Sequence, residues 1–571
     1  MNAKSMIVAV GTSALATFAQ GAEVTWTGGS GGIAYQWVAG GWETGELPGV
    51  EDTAVFVDIP RFRSQVENGT AQSITLIDNE NQQLSGIAFR NLYGIVIQGK
   101  ADFTLGSIVA DDIHPTTEDI IAVATNKIAL TGNSRIITLT GESSTIHVGE
   151  NHVLEIGTMI SNAGAAIEKT GPGLWLSSGY SITADTLWIK EGHVLRTANS
   201  YPSMNCGRFV VGGAGKSASV EFSDDTVAQK VVKATPIEVR AGGTIKIDAG
   251  ATAYQETVVI DHGTFDAPGY FISLSNDANT ENAPKFTICG GTYIADLQWP
   301  WATTFEILAA EVPSVFRGTL DTLSSQPFDV PDGTAAVDFV LDGVLSGGNR
   351  QYGKSGAGTM LFIDRNPANL YGIGKDFNVS GGTFILQSET EIGLGTNNIA
   401  VAAGATLGGT GHQVGGIDPA NENRGLRGNV NLTGAIGNPA TLAPGTVNYE
   451  TGAFIPGTFT IGSAAQTNNV TLAGSCVLRI GATKDGVSSL VVNGLLTLSG
   501  DTTLEIVGPE NSLLLQPGTY EIVKTKEPMT AEFASVAYNG GALPTNLKVR
   551  KVSNTLITLR VAPKGMFIVV R

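Results

Sequence analysis

Two segments decide the fold: MISNAGAAIEKTGPGLWL at residues 159–176 and VLSGGNRQYGKSGAGTML at residues 344–361. They align without a gap, and a glycine-led stretch follows each, KEGHVLRTA at 190–198 and SGGTFILQS at 380–388. Repetition at this scale predicts an architecture in which each copy stacks on its neighbours. The shared positions are Ser161 with Ser346, Lys169 with Lys354, Gly171 with Gly356, Gly173 with Gly358, and Leu176 with Leu361.

A shorter motif recurs along the chain, in which glycine and a small residue precede threonine and an apolar residue. Neighbouring copies start about 20 to 28 residues apart, roughly one coil of a parallel β-helix. We expect each copy to mark the same corner of successive coils, because glycine allows the bend and β-branched residues stack between coils. The copies are AGGTIKI at 241–247, HGTFDA at 262–267, CGGTYIA at 289–295, SGGTFIL at 380–386 and AGATLGG at 403–409.

Short runs of β-branched and aromatic residues fill most of the sequence, and Gly, Asn or Asp interrupts them about every 8 to 12 residues. Examples are the runs at 237–239, 244–247 and 258–260. This pattern predicts an all-β protein. Helical periodicity is weak, and residues 303–312 are the one candidate helix.

The composition narrows the class of protein. Of 571 residues, 73 are Gly, 42% are hydrophobic and only 15% are charged. A helical bundle needs more charge and less glycine, and a disordered chain has fewer hydrophobic residues. The formal net charge of −18 and the lack of basic clusters argue against nucleic acid as a partner, because nucleic-acid affinity depends on neutralised phosphates.

The pattern I-S-G…K-x-G-x-G-x-L, followed by a glycine-led strand, resembles the passenger-associated transport repeat of bacterial autotransporters. The stretch from Trp26 to Phe56 is similar to the opening of secreted proteins that carry these repeats, and 485–508, 517–533 and 553–561 resemble their last coils and cap. The resemblance implies a right-handed parallel β-helix (β-solenoid) with terminal caps. It implies an N-terminal cap at 22–60, a solenoid at 61–508 and a C-terminal cap at 509–571.

Residues 1–21 are predicted to be a secretory signal, because Lys4 precedes a short apolar stretch that ends in small residues. The resemblance adds export from a bacterium with an outer membrane, so we expect a secreted or surface-located protein that does not span the membrane. The residues after 508 are too few for the strands of a translocating barrel, and we expect none in this chain.

The three cysteines, Cys206, Cys289 and Cys476, are too widely spaced for a zinc motif or a dense disulfide framework. We expect buried small side chains, with one long-range disulfide and a leftover thiol as the alternative. The oligomeric state is left open.

The search for chemistry gives two groups of acid–base residues, Asp111, Asp112 and His114, and Asp261 and His262. Two carboxylates within about 10 Å of each other can cleave sugars, but the two groups are about 150 residues apart. Some six coils of a solenoid would separate them by roughly 30 Å. Asp is also common in turns, so we predict that they are structural. We therefore predict no catalytic, cofactor-binding or metal-binding residue, and no cofactor.

Two weaker motifs lead to the same conclusion. His147 and His152 flank a turn rather than share a strand face, which makes a metal pair improbable. GGAGKS at 212–217 lacks the spacing of a phosphate-binding loop, and no helical pattern follows it.

Tryptophan is concentrated in two places. Trp26, Trp37 and Trp42 are predicted to cover the open end of the solenoid, with sugar stacking as the alternative. Trp299 and Trp301 are expected in a protruding loop, where packing and ligand binding both stay open.

These observations predict a non-catalytic, secreted or cell-surface β-solenoid of the structural or adhesion type. Its loops would contact a surface, the matrix or polysaccharide. The alternative is an extracellular carbohydrate-active enzyme, a polysaccharide lyase or hydrolase, on the same scaffold. Convergent carboxylates in a groove would favour the enzyme, and Thr, Ser and Asn there would favour the spacer.

Overall fold

The chain consists of two compact units, Met1–Asp185 and Thr186–Arg571. The predicted signal, Asp112, His114 and Trp301 lie outside the described residues. The computed structural model describes residues 22–28, 34–57, 59, 62, 64, 74–78, 80–91, 95–111, 124–130, 135–178, 181–197, 203–222, 236–247, 252–255, 257–274, 285–299, 304–322, 327–346, 352–365, 376–388, 398–413 and 428–563.

The first unit contains thirteen described strands and a 3-10 turn at Ala39–Gly41, and the strand β14 (Ser181–Ile189) contains the boundary between the units. The strands are β1 (Glu23–Trp26), β2 (Ala34–Gln36), β3 (Thr53–Val57), β4 (Ile74–Asp78), β5 (Gln82–Arg90), β6 (Ile95–Gly99), β7 (Phe103–Ala110), β8 (Ala124–Leu130), β9 (Ile136–Leu139), β10 (Ser143–Val148), β11 (His152–Ile156), β12 (Met159–Thr170) and β13 (Leu174–Ser177).

Two parallel sheets run through the first unit, and the chain alternates between them. One has the order β1-β3-β5-β7-β10-β12, and the other has the order β2-β4-β6-β8-β11-β13. Parallel pairing of each strand with the strand one coil later is the defining feature of a β-solenoid. Ile87, Ile108 and Ile146 are register partners in one inward column, and all three are buried.

The second unit contains the remaining strands and a 3-10 turn at Ser512–Leu514. The strands are β15 (Gly192–Arg196), β16 (Ser203–Val211), β17 (Ala218–Phe222), β18 (Ile237–Arg240), β19 (Gly243–Ile247), β20 (Thr252–Gln255), β21 (Thr257–Asp261), β22 (Thr264–Leu274), β23 (Lys285–Cys289), β24 (Gly291–Trp299), β25 (Thr304–Ile307), β26 (Ser314–Thr322), β27 (Phe328–Asp329), β28 (Phe339–Ser346), β29 (Tyr352–Ser355), β30 (Thr359–Asp364), β31 (Phe377–Val379), β32 (Thr383–Ser388), β33 (Ile399–Val401), β34 (Thr406–Gln413), β35 (Val430–Gly434), β36 (Ala440–Pro444), β37 (Thr446–Val447), β38 (Phe454–Ile455), β39 (Thr458–Ile461), β40 (Val470–Gly474), β41 (Cys476–Thr483), β42 (Gly486–Val487), β43 (Ser489–Val492), β44 (Leu496–Leu498), β45 (Thr503–Val507), β46 (Gly518–Thr525), β47 (Ser535–Tyr538), β48 (Leu547–Ser553) and β49 (Leu556–Val561).

Four parallel ladders build most of the second unit. The longest runs β15-β17-β19-β22-β24-β26-β28-β30-β32-β34-β36-β41-β45-β47. The second runs β16-β18-β21-β23-β25, and the third runs β27-β29-β31-β33-β35-β40-β44. The fourth branches from β34 through β39 and β43 to β46. Val239, Ile260, Ile288 and Ile307 are successive register partners and all are buried. The parallel β-solenoid that the repeats predict is therefore the observed fold, and its right hand stays a prediction.

The short motifs mark the same corner of successive coils, as predicted. Thr244, Thr264 and Thr292 are register partners in β19, β22 and β24, and Thr383 pairs with Thr406 further along. Neighbouring copies are one coil apart in sequence. The motif spacing therefore equals the coil length, and this is why the copies align.

The expected helix at 303–312 is wrong. Residues Thr304–Ile307 form β25, which pairs in parallel with β23. Phe305 stacks on Phe286 with ring centroids 4.9 Å apart, so a neighbouring coil decides the conformation of this segment. Propensity is a weak prior that such packing overrides.

Antiparallel pairing appears towards the end of the described chain. β46 pairs with β49, and β48 pairs with β49, both antiparallel. This change of direction falls within the predicted C-terminal cap, whose bounds stay a prediction.

Candidate functional site

One cluster of chemistry-bearing side chains lies at the ends of two neighbouring strands of the second unit. Asp261 ends β21 and Cys289 ends β23, and the two are register partners. His262 follows Asp261 with a φ of 60°, a left-handed conformation that is uncommon outside glycine. Its backbone N–H donates to the carbonyl of Cys289 at 3.0 Å, which ties the histidine to the next coil.

The side chains of this cluster converge. His262 Nδ1 lies 2.7 Å from Asp261 Oδ1, and His262 Nε2 lies 3.4 Å from Glu311 Oε1. One ligand atom each from Asp261, His262 and Cys289 lies within 4.8 Å of the others. We call these four residues the Asp261 cluster. Within the described ranges, Asp261, His262 and Cys289 form the only group of three or more His, Cys, Asp or Glu side chains at metal-ligand spacing.

The electrostatics of the Asp261 cluster disfavour nucleophilic catalysis by Cys289. The hydrogen bond to Asp261, aided by the charges of Asp261 and Glu311, raises the pKa of His262. Burial, aided by the same two carboxylates, raises the pKa of the Cys289 thiol. A nucleophilic cysteine needs a lowered pKa, so Cys289 lacks the activation that a cysteine hydrolase requires.

The sequence identified only half of this cluster. Asp261 and His262 were candidates, whereas Cys289 was expected to be a buried small side chain and Glu311 was not singled out. Cys289 is partly exposed, so that expectation is wrong for it, although Cys206 and Cys476 are buried. All three thiols are free, which excludes the alternative disulfide in this structure. The short glycine–threonine motif could have identified Cys289. His262 and Cys289 each directly precede the first glycine of their own copy of that motif, so they occupy the same corner of neighbouring coils.

The first group of acid–base candidates has one described member. Asp111 lies in the first unit, where its Oδ2 is 3.4 Å from His147 Nε2. His147 Nδ1 also meets Thr170 Oγ1 at 3.0 Å. His152 is buried in β11, in the other sheet of that unit, so His147 and His152 do not form the face of a metal site.

The described tryptophans of the two predicted groups are core residues. Trp26, Trp37 and Trp42 are buried, and the rings of Trp37 and Trp42 lie 4.9 Å apart, which removes them from sugar stacking. Trp299 ends β24 with 1% of its surface exposed and packs on Phe305 at 5.1 Å. The expected protruding loop is therefore wrong at Trp299, because a strand carries this side chain inward.

Two further features lie in the second unit. GGAGKS leads into β17 rather than a helix, in agreement with the rejection of a phosphate loop. A cleft of about 630 Å³ lies near Phe454, Val507 and Leu514, with Arg479 and Lys484 at its wall. Sequence reasoning did not find this cleft, because its residues come from coils that only the register brings together.

Among the described residues, no helix is both long and apolar enough to cross a membrane. No family model matches the sequence, and no curated protein matches it. The fold defines the class of protein, which is a parallel β-solenoid.

Proposed function

We propose that this protein is a non-catalytic, secreted or cell-surface scaffold whose solenoid faces and loops contact polysaccharide or matrix. The observation that carries the proposal is the use of polar side chains between coils of the second unit. Ser273 donates to Gln298 at 2.9 Å, Gln298 donates to Asp321 at 3.1 Å, and Ser346 donates to Asp321 at 3.3 Å. These four residues form a polar ladder across β22, β24, β26 and β28, which suits a stiff spacer.

Charged side chains of the second unit also join neighbouring coils. Glu505 pairs with Arg479 on the preceding coil at 2.8 Å, and Asp342 pairs with Arg365 at 2.9 Å. Glu238 pairs with both Arg208 and Arg240. Acids committed to such pairs are poor general acids or bases, because a catalytic carboxylate must be able to exchange its proton with substrate.

A carbohydrate-active enzyme is the second candidate, and one observation favours it. Asp261 and Glu311 both face His262, so two carboxylates and a histidine share one exposed site. The sequence resemblance and the predicted signal support export for either candidate.

The experiment uses the chain from residue 22 on immobilised neutral and acidic polysaccharides. The scaffold should be retained by at least one of them and should release no new reducing ends or unsaturated products. Asp261→Asn should be retained equally, and Asp342→Asn is the matched control. Product release that disappears in Asp261→Asn would establish the enzyme instead, and a lack of retention on every polymer would contradict the contact role.

A further inference from the structure

We propose that the Asp261 cluster is a binding site for a divalent transition-metal ion of the zinc type. Imidazole, thiolate and carboxylate together match the ligands that zinc and cobalt take in proteins. Calcium and magnesium prefer oxygen ligands alone. The proposal is independent of the scaffold function, because a metal at this corner would serve either a structural or a surface role.

The first supporting observation is the distance between His262 and Glu311. His262 Nε2 and Glu311 Oε1 are 3.4 Å apart. Two ligands of a tetrahedral zinc ion are separated by about 3.3 Å when their bonds to the metal are about 2.0 Å long. His262 Nε2 is buried from solvent and faces Glu311 Oε1, so a metal between them would take the place of this contact.

Asp261 has the position of an outer-shell carboxylate. It contacts Nδ1, the other ring nitrogen of His262, at 2.7 Å. Metal-binding histidines commonly donate this second N–H to a carboxylate, which fixes the tautomer and the ring orientation. The same contact leaves Nε2 as the metal ligand.

Cys289 supplies the sulfur. Its Sγ lies within 4.8 Å of one carboxylate oxygen of Asp261 and one ring nitrogen of His262. The register of β21 with β23 and the backbone contact of His262 hold the ligands on rigid elements.

The chain provides a matched control. His193 Nδ1 contacts Ser219 Oγ at 2.7 Å, and its Nε2 lies 4.0 Å from Glu221. Like His262, His193 therefore has a carboxylate near its Nε2 atom. Among the described residues, however, no cysteine lies at metal-ligand spacing in a group with His193.

The test is a titration of reduced, chelator-treated protein with Co²⁺, followed by displacement with Zn²⁺. We expect one equivalent to bind, with a sulfur-to-cobalt charge-transfer band in the near ultraviolet and tetrahedral ligand-field bands in the visible. Cys289→Ser should abolish the charge-transfer band. Asp261→Asn should keep that band and weaken affinity about 10- to 100-fold, His262→Gln should weaken affinity at least as much, and His193→Gln should change nothing.

A second measurement needs no variant. Zn²⁺ should slow alkylation of Cys289 in the wild-type chain, as mapped by peptide mass spectrometry. Absence of the charge-transfer band in wild type, its persistence in Cys289→Ser, or an alkylation rate that is unchanged by Zn²⁺ would each overturn the proposal.

Discussion

A buried lysine recurs at the same position of the two long repeats. Lys169 is the register partner of buried Ile146, and Lys354 is the partner of buried Phe328 and Val379, so both lysines occupy inward columns that are otherwise apolar. Each ammonium donates to the carbonyl of the glycine two residues later, at 2.5 Å from Lys169 and 2.6 Å from Lys354. The K-x-G pattern is therefore a device that satisfies a buried turn carbonyl.

Lys354 makes the free energy of unfolding depend on pH. Burial lowers its pKa to about 8, whereas an unfolded lysine titrates near about 10.4. The unfolded chain therefore binds more protons between these values, and stability rises with pH. From pH 7 to pH 9 this residue should add about 1 kcal/mol. Denaturant titrations should show that the gain is absent in Lys354→Met, and an equal gain in both chains would contradict the assignment.

The glycines of the second repeat are predicted to be required for folding, and their surroundings explain why. A Cβ on Gly356 would lie 2.3 Å from the carbonyl oxygen of Val330, and one on Gly358 would lie 2.3 Å from that of Pro331. Gly356 also has a φ of 76°. The backbone of the neighbouring coil therefore approaches too closely at these positions for any side chain.

Alanine substitutions at Gly356 and Gly358 distinguish the steric clash of a new Cβ from the strain of a positive φ. Gly358→Ala should lower the melting temperature through the clash alone, at a cost of about 1–3 kcal/mol. Gly356→Ala should cost more, since it adds strain of about 1–2 kcal/mol. Gly437→Ala is the control, because its φ is 76° and no atom lies within 4 Å of the new Cβ. If Gly437→Ala lowers the melting temperature as much as Gly356→Ala does, the close approach is unimportant. Gly356→Val and Gly358→Val should also reduce soluble yield.

At the scale of the element, an asparagine ladder joins successive coils of the third sheet of the second unit. Asn398 Oδ1 accepts the backbone N–H of Asn429 at 3.1 Å, and Asn429 Oδ1 accepts that of Asn469 at 2.8 Å. Asn469 Oδ1 then accepts the N–H of Leu495 at 2.9 Å. Each side chain thus satisfies a backbone donor just before a strand of the next coil.

Removal of one rung should destabilise the ladder. Asn429→Ala leaves the N–H of Asn469 without its acceptor and should cost about 1 kcal/mol in the free energy of unfolding. Asn429→Asp keeps a carboxylate oxygen as the acceptor and should cost less, as Asp376 accepts the N–H of Asn398 in the preceding coil. Equal losses in the two variants would show that the hydrogen bond contributes nothing.

Over the whole chain, only 15% of residues are charged and acids outnumber bases. The net charge of −18 is spread over two units whose strands pair in parallel from coil to coil. Net charge of this size keeps a protein soluble and discourages contact with polyanions. Retention on neutral polysaccharides is therefore expected to exceed retention on acidic ones.

Only part of the candidate site could be predicted from the sequence. Asp261 and His262 were candidates because of their residue types, whereas Cys289 and Glu311 belong to other coils. Which coil lies beside which is decided by register, and register depends on every intervening loop length. Trp299 illustrates the same limit, since strand alternation alone does not say which face is inward.

The all-β solenoid and the corner at which Thr244, Thr264 and Thr292 meet could be predicted from the sequence. Glycine turns and β-branched strands are local requirements, and the spacing of the copies gives the coil length directly. The strand at residues 304–307 and the convergence of the Asp261 cluster could not be predicted in this way. The physical reason is that both depend on contacts between coils, whose free energy exists only once the neighbouring coil is in place.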